Sequence, residues 1–177
     1  MSLPHALMTA LAEKPCSGSE LARRFDRSIG YFWQATHQQI YRELARLEAA
    51  EWIGALPKEG GRGRRRSYQL LPKGREELAR WVGSSLEPTP VREALGVRLR
   101  AEAVVGPTGL LQELRTLLVC HQQKLDTYLE IEQRAFQAEP LQKAQHLRYL
   151  VLRAGIRYEQ QHMEFLREAI ELLEQDL

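Results

Sequence analysis

Apolar side chains recur at helical spacing through most of the chain and at strand spacing in one short region. Leu7, Met8 and Leu11 share a face of a helix expected over residues 3–11, and Glu13-Lys14-Pro15 ends it, because proline cannot continue a helix. Leu21, Ala22 and Phe25 mark a second helix over 17–25, with Ser17 or Ser19 able to cap it. Ile29-Gly30-Tyr31 then connects to a third helix over 32–47, in which Ile40, Leu44 and Leu47 repeat at i, i+4 and i+7. Phe32 and Trp33, at its entry, read as packing residues. The runs 52–56 and 66–71 are strand-like and flank a tip, residues 58–65, that holds three glycines and four basic residues. A short helix over 76–82, with Leu78, Trp81 and Val82 as its apolar residues, precedes a linker-like segment, 83–90. Beyond it strands disappear, and residues 91–105, 108–137 and 141–176 all carry helical periodicity.

Two short helices followed by a basic, glycine-rich hairpin predict a winged helix-turn-helix, whose second helix enters the major groove while the wing follows the backbone. The expected fold is therefore mostly α with a small β-hairpin wing. Residues 1–83 would be the DNA-binding domain, and 84–177 a helical dimerisation domain with room for an effector.

The face of the third helix opposite its apolar stripe sharpens this picture. Gln34, Thr36, His37, Gln38, Tyr41 and Arg42 carry short or planar hydrogen-bonding heads, suited to base edges and phosphates, where a solvated face more often shows Glu and Lys. A polar face without a partner is the plain alternative for this helix taken alone.

Charge supports the DNA reading through its distribution. The net charge is only +2, but residues 1–81 hold 14 Lys and Arg against 9 Asp and Glu, and the remainder 11 against 14. Arg62, Arg64, Arg65 and Arg66, with Lys58, concentrate the positive field at the wing, where phosphate contact is expected. With 44% hydrophobic residues the chain has ample core, yet no apolar run approaches the roughly 18 residues of a membrane span. No membrane partner is expected, and Met1-Ser2-Leu3-Pro4-His5 lacks the basic start of a signal peptide, so a cytoplasmic protein is expected. Cys16 and Cys120 show no ligand spacing and read as reduced thiols.

In the last helix Val151, Ala154 or Gly155, Tyr158, Phe165, Ala169 and Leu172 or Leu173 recur at three- or four-residue steps, and the small residues permit close approach of another helix. This predicts a homodimer seam over an intrachain bundle. Dimerisation also suits a DNA reader, since two motifs on a twofold axis multiply specificity. Tyr149, Arg153, Arg157 and Tyr158 are candidate lining for an effector pocket, though they suit a seam equally.

Catalysis finds no support. Glu76-Glu77 and Glu43 with Glu48 lie on charged helix faces, and no Gly-x-Ser-x-Gly or His-Glu-x-x-His string occurs. The glycines at 60, 61 and 63 are not followed by the Lys-Ser/Thr pair of a nucleotide loop. His121, His146 and His162 lack the i, i+4 spacing of helical metal ligands and are expected to be exposed or hydrogen-bonded. Neither cofactor nor metal is expected.

The first 81 residues resemble the PadR family of winged-helix transcriptional regulators, through LPHALMTALAEKPCSGSELARRF, FWQATHQQIYRELARLEAAEWI and the hairpin ending RSYQLLPKGREEL. The remainder, beginning PVREALGVRLR, is similar to the longer members, whose C-terminal helices form the dimer. The resemblance implies a homodimer on a roughly palindromic double-stranded DNA operator, commonly a repressor, released in several members by a small aromatic effector. Carried over by position, it implies base-reading roles for Gln34, Thr36, His37, Gln38, Tyr41 and Arg42, and wing contacts for Lys58, Arg62, Arg64 and Arg65. Many members have Gly-Tyr where this chain has Gly18-Ser19, so a contact made by that tyrosine does not transfer. The alternative use of the fold is a protein-docking module without sequence-specific DNA binding.

Overall fold

A computed structural model describes residues 3–27, 35–56, 66–86, 93–136 and 142–175. They form two compact units, Met1–Pro88 and Thr89–Leu177. The architecture is mostly helical with one small sheet, as the periodicity predicted.

In the first unit, α1 (Leu3–Glu13), α2 (Gly18–Arg27) and α3 (His37–Ala49) enclose the core. Leu7, Met8, Leu11, Leu21, Phe25, Ile40, Leu44 and Leu47 are all buried there. Ile53, from β2 (Ile53–Ala55), joins them. Strand β3 (Ser67–Leu70) is central, pairing antiparallel with β2 on one side and with a two-residue strand β1 (Cys16–Ser17) on the other. The register sets Ile53 opposite Leu70 and Cys16 opposite Tyr68. Strand β1 was not anticipated, since two residues are too few to show alternation. Ser17 then serves α2 by accepting from the Glu20 amide at 3.2 Å, the capping role foreseen for it.

Two helix starts differ from the sequence reading. Helix α3 begins at His37, five residues later than expected, because Thr36 takes an extended backbone and caps it. Helix α4 (Pro72–Val82) begins four residues earlier than expected. Pro72 stands in its first turn, where a missing N–H costs nothing and the ring presets φ. Helix α4 is fastened to α1 through His5, whose ring stacks on Trp81 with centroids 4.3 Å apart and whose Nε2 lies 3.2 Å from Glu77.

In the second unit, α6 (Leu110–Ala135) and α7 (Lys143–Gln175) form a long hairpin. Leu110, Leu114, Leu166, Ala169 and Ile170 make its core, and α5 (Ala94–Val105) packs Leu95 and Leu99 against it. No described helix is long and apolar enough to cross a membrane.

Candidate nucleic-acid interface

The local chemistry of α3 decides which of its polar residues are available. Thr36 Oγ1 accepts from the Gln39 amide at 3.2 Å, while Gln39 Oε1 accepts from the Thr36 amide at 2.8 Å, a reciprocal capping box. Both side chains spend an acceptor oxygen on starting the helix, and the exposed Thr36 keeps its O–H as a donor. His37 and Gln38, exposed in the first turn, stand at the positive end of the helix dipole. Gln38, Arg42 and Ala45 share the exposed side opposite the buried Ile40, Leu44 and Leu47.

Tyr41 lies on the flank of that face, 49% exposed, with one ring edge against the start of α2. A Cβ on Gly18 would come within 2.8 Å of Tyr41 Cε1, so the seat of this ring requires a glycine. Position 18 therefore shapes the α3 surface without belonging to it, a relationship invisible in either helix alone.

Several cations near α3 are occupied. Arg46 pairs with Glu43 at 2.6 Å, and Lys73 with Glu51 at 3.1 Å. Arg66, one of the four wing arginines, pairs with Glu48 at 2.5 Å and lies over the Tyr68 ring, tying β3 to the end of α3. Arg24 is internal scaffolding, donating to the Ala10 and Lys14 carbonyls at 3.2 and 3.0 Å. Arg42 makes no ion pair among the described residues. Gln34 and the wing residues Lys58, Arg62, Arg64 and Arg65 lie outside the described residues, as do Phe32 and Trp33. The Cys16 thiol is buried, and burial pushes its pKa up, which keeps it protonated and unreactive.

On α7 the expected seam divides. Val151, Ala154, Tyr158, Phe165 and Leu172 face outward, and Leu147 and Leu150 extend their apolar stripe toward the helix start. Those two leucines escaped the sequence reading, although their spacing from Val151 and Ala154 was the available signal. Gly155 and Ala169 instead face α6: a Cβ on Gly155 would meet Tyr128 at 3.0 Å, and Ala169 is buried in the hairpin core. Neighbouring positions on one apolar arc were thus split between an internal and an outward face.

The residues considered for an effector are engaged locally. The Tyr149 hydroxyl donates to Glu132 at 2.6 Å, which raises its pKa, and Arg153 lies over its ring. None of Tyr149, Arg153, Arg157 and Tyr158 lines the concavity of about 360 Å³ between α5 and α6, which is bounded by Arg98, Glu102, Val105, Thr108 and Glu113. His121 and His162 are hydrogen-bonded, to Glu159 and to the Tyr158 carbonyl, and His146 is exposed. Among the described residues no group of three or more His, Cys, Asp or Glu side chains is arranged to hold a metal.

Residues 7–80 match the model of the transcriptional regulator PadR-like family, and residues 91–174 that of the virulence activator alpha C-terminal segment. A probable transcriptional regulator of Mycobacterium tuberculosis is 43% identical, over 99% of both chains. The negative transcriptional regulator PadR of Bacillus subtilis is 25% identical, over 98% of both. Among solved structures, the Vibrio cholerae virulence activator AphA aligns with a TM-score of 0.82 at 27% identity, covering 99% of this chain and 100% of its own. Bacillus subtilis PadR, solved in complex with operator DNA, aligns at 0.81 and 23% identity, covering 96% of this chain and 97% of its own. Alignment over nearly the whole chain at 43% identity, both segment matches and the winged-helix core agree: this chain belongs to the PadR-like family of transcriptional regulators and is not an enzyme.

Proposed function

We propose that the protein is a homodimeric repressor that reads a roughly palindromic double-stranded DNA operator through α3 and the wing. The observation that carries this reading is the outward face of α3, where His37, Gln38, Tyr41 and Arg42 stand exposed beside a capped helix start. Amide, imidazole and guanidinium heads on a helix flanked by a basic loop match the donors and acceptors of the major groove and the charge of the backbone. Protein docking would call for apolar anchors, and Tyr41 is the one large apolar side chain exposed on α3.

The outward stripe on α7, Leu147, Val151, Tyr158, Phe165 and Leu172, supplies a seam for the second copy. Relatives lend support at two further points. Bacillus subtilis PadR is described as a negative regulator and has been solved with p-coumaric acid, which favours repression and release by a small aromatic effector here. A DNA-reading role also implies work in the cytoplasm.

Gel-shift with the protein's own upstream region at two salt concentrations tests the core of this reading. Reversing charge at Arg62, Arg64 and Arg65 together is expected to weaken binding to all DNA and flatten the salt dependence. Gln38→Ala or His37→Ala is expected to change preference among sequences instead. A monomer with no affinity for duplex DNA at low ionic strength would overturn the proposal. Reporter output rising when the protein is deleted is expected of a repressor; a fall identifies an activator, as the Vibrio cholerae relative is described.

A further inference from the structure

Beside the α6–α7 hairpin of the second unit lies a charged cluster that shares only Tyr158 with the outward stripe of α7. Glu159 is 3% exposed, and a carboxylate so buried needs a partner. Its partner is His121 Nδ1, from across the hairpin on α6. The His121 ring stacks on His162 with centroids 5.4 Å apart, and the Tyr158 ring lies 4.0 Å from His162 on its other contact. His162 Nε2 stands 4.0 Å from Glu93, whose carboxylate also caps α5 by accepting from the Leu95 amide at 3.2 Å. Among the described residues, the titratable groups facing the histidine pair are thus Glu93 from the start of α5, and Tyr158 and Glu159 from α7.

The hydrogen bonds determine where protons sit. His162 Nδ1 lies 3.0 Å from the Tyr158 carbonyl, which only accepts, so Nδ1 carries a hydrogen. In the neutral ring Nε2 then offers a lone pair toward a Glu93 oxygen, and two acceptors face each other. A proton on Nε2 reverses that relation and makes an attractive pair with Glu93. The carboxylate field is felt at Tyr158 as well, whose hydroxyl pKa is raised by burial and by Glu93 and Glu159.

We propose that the His121–His162 pair, held between buried Glu159 and the α5 cap Glu93, is a proton-responsive latch that fastens the start of α5 onto the α6–α7 hairpin. Protonation closes it, because two imidazolium rings balance two carboxylates. Deprotonation leaves Glu93 facing a lone pair and removes this tie, so that the first turn of α5 is held by the packing of Leu95 and by its cap alone. Helix α5 is the first described element of the second unit, and the latch sets how firmly its start is held on the hairpin.

Imidazole NMR titrations of the full-length protein between about pH 5 and 8 test this. They use the wild type, His162→Gln, His121→Gln and Glu93→Gln. The last keeps an oxygen for the α5 cap and removes only the charge. Coupling predicts that His162→Gln moves the His121 midpoint by about half a pH unit or more. Glu93→Gln should lower the His162 midpoint, and the protection factor of the capped Leu95 amide, corrected for intrinsic exchange, should lose its pH dependence. Independent titration of the two rings, or α5 protection that does not follow pH in the wild type, overturns the proposal. None of these readouts depends on DNA, so failure here leaves the operator-binding reading standing.

Discussion

Gly74 packs so tightly on the Trp52 carbonyl that a Cβ at position 74 would lie 2.1 Å from the oxygen. That carbonyl also accepts from the Leu71 amide at 2.9 Å, which holds it in place. Gly74→Ala is therefore expected to push α4 away from the sheet and to cost about 1–3 kcal/mol. Chemical denaturation reads this directly, and a midpoint equal to wild type would show that α4 moves without penalty.

Gly18 offers the contrasting case. Its added Cβ would meet the edge of the Tyr41 ring at 2.8 Å, and a half-exposed ring can swing aside where a carbonyl cannot. Gly18→Ala is expected to cost less than about 1 kcal/mol in stability. It should nevertheless change operator preference in the same direction as Tyr41→Ala. Equal selectivity for Gly18→Ala and wild type would mean the seat of the ring is irrelevant to recognition.

Glu51 follows the end of α3 with φ of 59°, the left-handed region that glycine enters most readily. Its ion pair with Lys73 is exposed on both sides, 59% and 75%, and contributes little. Glu51→Gly is expected to raise stability by about 0.5–1 kcal/mol, seen as a higher denaturant midpoint at unchanged slope.

Acid should act on the first unit through Glu77. Arg80, bonded to it at 2.6 and 2.7 Å, and then His5 hold its carboxyl well below the usual range, at about 2. A carboxylate depressed on folding contributes stability that is fully present above its unfolded value of 4.5 and is lost as pH falls toward about 2. Glu77→Gln should remove that part of the acid limb, leaving a flatter unfolding profile across this window. An acid limb identical to wild type would assign the sensitivity to other carboxylates.

Salt should separate the arginines of the wing region. Arg66 is engaged with Glu48 and Tyr68, so Arg66→Ala is expected to lower stability by about 0.2–1 kcal/mol through that surface pair. Its effect on the salt slope of DNA binding should be smaller than that of replacing Arg62, Arg64 or Arg65. Competition binding across a salt series measures the difference.

Much of this protein was legible in the order of its residues, because helix packing begins from a local repeat. The spacing of Ile40, Leu44 and Leu47 requires one side of α3 to be buried and leaves Gln38 and Arg42 on the other, whatever else surrounds the helix. Leu7, Met8 and Leu11 on α1, and Leu21, Ala22 and Phe25 on α2, follow the same rule. Tertiary structure decided what periodicity leaves open: which neighbour meets each face. It made Cys16–Ser17 a strand by laying it beside Ser67–Tyr68, turned Gly155 toward Tyr128, and gave Arg66 to Glu48. It also buried Glu159 against His121, 38 residues away. Such pairings join residues remote in sequence and depend on how whole elements pack, so no local repeat announces them.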